Sequence, residues 1–67
     1  MVSDADIFRS ARVMIQEHGD GALEFAESRA NALWDKNDDK GAAVWMRISR
    51  AIEELQKTSP GTTDQAQ

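Results

Sequence analysis

Apolar residues recur along this chain at helical spacing, in three stretches parted by short polar breaks. The most lopsided covers residues 41–57, where Val44, Trp45, Ile48, Ala51, Ile52 and Leu55 line one face of a 3.6-residue helix. Ala43, Arg47, Arg50, Glu53, Glu54 and Lys57 make up the opposite face and suit water. A helix of this kind needs a partner surface, and the earlier stretches supply it. In the first, Ile7, Phe8, Ala11, Met14 and Ile15 share a face, while Val13 falls outside the arc. In the second, the arc is Ala22, Leu23, Ala26, Ala30, Leu33 and Trp34, with Phe25 on its edge beside Arg29. Three alanines in that arc let neighbouring helices approach closely.

The breaks carry helix-end chemistry. Ser3 or Asp4 can cap the first helix, with Asp6 completing a weak capping box from Ser3. His18-Gly19 closes it, because a histidine suits the negative dipole end and glycine accepts a left-handed backbone. Asp20 is the expected cap of the second helix, and Asp38 or Asp39 that of the third. From Thr58 to Gln67 there is no large apolar residue, so that segment reads as a disordered tail. The pattern predicts an all-α fold: a compact three-helix domain over residues 1–57, with antiparallel neighbours and helices at about 4–18, 21–36 and 39–57. Its expected core anchors are Phe8, Leu33, Trp34, Trp45, Ile48, Ile52 and Leu55, with Trp34 and Trp45 packing around one corner.

Size and charge narrow the functional classes. A chain of 67 residues allows one domain, with a core that contributes about 3–5 kcal/mol of net stability. It has no cysteine, which excludes disulfides and thiolate metal sites. No apolar run is long enough to cross a bilayer, and the acidic start lacks the features of a signal peptide, so a cytoplasmic protein is expected. A net charge of −4 argues against binding phosphate backbones by bulk electrostatics.

Candidate chemistry is sparse. His18 has no tyrosine or cysteine to complete a catalytic constellation and reads as a helix terminator. Asp35, Asn37 and Asp39 have the oxygen-rich alternation of a calcium loop, but the sixth and twelfth positions hold Lys40 and Met46 where glycine and glutamate are needed. Neither an enzyme activity nor a metal or other cofactor is therefore expected. Arg47 and Arg50 make the third helix the most basic face of the chain, yet Glu53 and Glu54 share that helix. Val13, Phe25 and Met46 are the large apolar residues left off the arcs, and they form the candidate interface. The expected function is protein–protein contact with self-association into a homodimer, with a small nucleic-acid-associated regulator using Arg47 and Arg50 as the alternative.

The runs Ile7-Phe8-Arg9-Ser10-Ala11, His18-Gly19, Arg29-Ala30, Ala32-Leu33, Gly41-Ala42-Ala43-Val44-Trp45-Met46-Arg47-Ile48 and Ala51-Ile52-Glu53-Glu54-Leu55 resemble a family of short uncharacterised bacterial proteins, mostly proteobacterial. The resemblance spans nearly all of the chain except the tail. It implies a helical fold and a bacterial origin, and it brings no site residues because the family has no assigned activity.

Overall fold

Ser3 starts the first helix as a side-chain cap: its Oγ accepts the Asp6 amide at 3.2 Å, and its carbonyl accepts from Ile7 at 3.0 Å. The computed structural model describes residues 2–57, and the expected tail, residues 58–67, lies outside them. Helix α1 covers Asp4–His18, a turn of 3-10 helix Gly19–Gly21, α2 Ala22–Asp35 and α3 Asp39–Lys57. The described residues are thus all-helical. Helical elements follow one another without an intervening loop from α1 through the 3-10 turn into α2, so the chain forms two helical rods, the first of them bent at Gly19, where the periodicity predicts three separate helices.

The physical reason for that correction lies at the bend. Gly19 takes φ 56°, and its amide donates to the Ile15 carbonyl, which stops α1 as expected. The next residues form no open link, because the Ala22 amide donates to the Gly19 carbonyl in a 3-10 bond. Backbone bonding therefore carries the chain into α2 without a side-chain cap. Gly21 occupies the N-cap position, and Asp20, expected there, sits inside the 3-10 turn.

The second junction is a true break. The Asp38 amide donates to the Leu33 carbonyl at 2.8 Å and the Asn37 amide to the Trp34 carbonyl at 2.9 Å, a Schellman pair with Asn37 left-handed at φ 65°. Asp38 then caps α3: its Oδ1 accepts the Gly41 amide at 3.0 Å and its carbonyl accepts from Ala42 at 3.0 Å. Three residues of turn bring α3 back along α2. Helix α1 lies on another side of α3, its start beside Arg47 and its end beside Gln56, so the two run in the same general direction.

Ile7 and Ala11 of α1, Ala22 and Ala26 of α2, and Ile48, Ala51 and Ile52 of α3 form the core. Of the nine buried apolar residues among those described, six are alanines and three are isoleucines. Faces this small let the helices approach closely, which leaves little room for rings. Two expected anchors are therefore misplaced. Phe8 is 39% exposed, because Ile7 and Ala11 take the inward line of α1 and Phe8 lies about 100° further round. Trp34 is 46% exposed, one position past half-buried Leu33 in the last turn of α2. Ile48 and Ile52 are buried, Trp45 and Leu55 are half-buried and packed against their cluster, and Leu33 is half-buried. Ser49 is also buried, with its hydroxyl donating to the Trp45 carbonyl at 3.0 Å.

Candidate interaction surface

An open groove of about 470 Å³ runs between α1 and α3. Asp4, Ile7 and Phe8 form one wall, and Arg47, Arg50, Ala51 and Glu54 the other. Its apolar floor follows from the packing just described, since Ile7 points inward and Phe8 is left at the mouth. Its rim is electrically balanced, with Asp4 on the α1 wall and Arg47, Arg50 and Glu54 on the α3 wall, in a chain of net charge −4.

Arg47 holds the two walls together. Its guanidinium reaches across from α3 to the Asp4 Oδ1 at 2.8 Å and donates to the Val2 carbonyl at 3.3 Å. Asp4 is in the first turn of α1, where the helix dipole also favours its charge. Both partners are solvated, so the pair orients the start of α1 more than it stabilises the fold. A second crossing bond, from Gln56 Nε2 to the Gly19 carbonyl at 3.1 Å, ties α3 to the bend.

On a separate part of the surface, side chains from all three α-helices meet in a stack. The His18 and Phe25 rings lie face to face at 4.1 Å and 18°. Phe25 then meets Trp45 edge-on at 6.1 Å and 75°, and the Arg29 guanidinium covers the Trp45 ring at 5.7 Å. Where a corner between Trp34 and Trp45 is expected, Trp45 meets Arg29 and Phe25, five and nine residues before Trp34 in α2. Phe25 and Arg29 stand four apart and so share a helix face, which is the sequence signal for this arrangement.

The three residues of the expected interface differ in exposure. Phe25 is half-buried, engaged by His18 and Trp45. Val13 and Met46 are 39% and 40% exposed, Val13 on the outer side of α1. Among the described residues no group of three or more acidic or histidine side chains converges on a point that could hold a metal ion. No helix of the described residues is long and apolar enough to cross a membrane. Comparisons with protein-family models, with curated proteins and with solved structures found no match, so the resemblance to short proteobacterial proteins rests on its residue runs alone.

Proposed function

We propose that this chain is a small protein–protein interaction module that self-associates, and that the groove between α1 and α3 is its contact surface. The observation that carries this reading is Phe8: a large ring, 39% exposed, at the mouth of a groove with an apolar floor. Fully burying such a ring contributes about 1.5–3 kcal/mol, and covering the part of Phe8 that is still exposed contributes a fraction of that. Helix-in-groove contacts use this layout, an aromatic anchor over small side chains with charges at the rim. The interface thereby moves from Val13, Phe25 and Met46 to Phe8.

The nucleic-acid alternative has less support. It relies on Arg47 and Arg50, and Arg47 is engaged by Asp4 and the Val2 carbonyl, while Glu54 and Asp4 stand on the same rim. Phe8→Asp tests the first reading. Light scattering of the variant should give a single-chain mass at concentrations where the parent associates, with helical circular dichroism unchanged. A variant that associates as the parent does would show that the groove is not the contact surface.

A further inference from the structure

The groove has a feature that selects its occupant. Asp4, Phe8 and Arg12 stand at successive i, i+4 positions of α1 and form a stripe along one side of the helix. All three are exposed, and Asp4 and Phe8 line the groove. We infer that the occupant is a second copy of this chain, whose α1 lies antiparallel to the first across a two-fold axis at Phe8. The inference rests on the self-association proposed above and specifies its geometry.

The charges fit this arrangement and oppose others. Asp4 and Arg12 lie equal distances either side of Phe8, about 6 Å each along the axis at 1.5 Å per residue. Turning a second α1 end for end about Phe8 sets Asp4 of each copy level with Arg12 of the other, and this happens twice by symmetry. Asp4 is already bonded to Arg47, but through Oδ1 alone, and its side chain remains 90% exposed, so the carboxylate keeps room for a second guanidinium. A parallel pairing would instead set Asp4 against Asp4 and Arg12 against Arg12. The stripe is neutral, and so is the rim of Asp4, Arg47, Arg50 and Glu54. In a chain of net charge −4, a neutral face is where two copies repel each other least.

Charge reversal tests the pairing. Arg12→Asp gives a stripe with two acids, and Asp4→Arg one with two arginines. Each variant alone should self-associate at least about tenfold more weakly than the parent, since two attractive pairs become repulsive and about 1.4 kcal/mol corresponds to tenfold. Mixed in equal amounts, the two variants should form a heterodimer near the parent's affinity, because both opposite-charge pairs return. Arg12→Lys, which keeps the charge, should associate like the parent and is the control for Arg12→Asp that leaves the contact between Asp4 and Arg47 in place, which Asp4→Arg removes. Fluorescence-detected sedimentation, with one variant labelled, measures all four. If the parent associates but the mixture shows no gain over the single variants, or if Arg12→Asp matches Arg12→Lys, this pairing is wrong and another contact holds the copies together. If the parent is a single chain at every concentration, the self-association itself fails and the groove belongs to a different occupant.

Discussion

Ile52→Ala leaves this protein largely unfolded at room temperature. Ile52 is fully buried and is the largest side chain in that state among the described residues. It belongs to α3 and sits in the one cluster that also holds Ile7 and Ala11 of α1 and Ala22 and Ala26 of α2. Truncating a buried isoleucine removes its transfer free energy and leaves a cavity, together about 2–5 kcal/mol. A core of this size contributes only about 3–5 kcal/mol in total, so little or nothing remains. Alanines on the facing helices have no longer side chains with which to refill the space. Thermal denaturation followed by circular dichroism should show a much reduced helical signal at 25 °C. A cooperative melt within a few degrees of the parent would mean that the three helical segments do not share this core.

Two glycines of the bend give the second large effect, as a contrast. Gly19 has φ 56° and ψ −127°, a region that side chains with a Cβ scarcely visit. A Cβ built there meets nothing within 4 Å, so any cost of Gly19→Ala comes from backbone strain rather than from collision. That cost is about 1–3 kcal/mol, and about 1 kcal/mol lowers the melting temperature of a domain this size by roughly 4–8 °C. Gly21, two residues on, also has open space around its Cβ position, but its φ is −88°. Gly21→Ala should therefore be neutral or stabilising, by about 0.4–1 kcal/mol at most, because it restricts the unfolded chain. Equal melting temperatures for the two variants would contradict the backbone geometry assigned to the bend.

Helix ends were the most legible part of this sequence, because they depend on residues within a few positions. Ser3 meets the Asp6 amide as a capping residue should, although the Asp6 carboxylate turns to Arg9 at 3.1 Å rather than completing the box. Gly19 stops α1, and Asp38 is the aspartate that caps α3. Gly19-Asp20-Gly21 was misleading for the same local reason. Stop and cap residues look alike whether the next helix starts afresh or continues from a 3-10 turn, and here it continues.

Depth of burial was less legible than direction. Periodicity places Phe8 beside Ile7 and Trp34 beside Leu33 on the inward side, but it does not give the distance between helices. Where alanine faces meet closely, isoleucine fills the seam and the rings stay at its edge. The groove was illegible for a further reason. It depends on Arg47 meeting Asp4 across 43 residues of sequence, and on Gln56 meeting Gly19 across 37. Neither pair has any local pattern to announce it. The stripe of Asp4, Phe8 and Arg12 is visible in the sequence, but it acquires meaning only once Phe8 is known to face outward.

Sedimentation equilibrium of the parent chain over a hundredfold range of concentration tests self-association most directly. The expected weight-average mass rises with concentration from the 7.4 kDa of one chain towards twice that value and no further. A closed two-fold contact ends at two copies, which distinguishes it from open-ended aggregation through scattered apolar residues. A mass of one chain throughout the range, or one that climbs past two without a plateau, would contradict it.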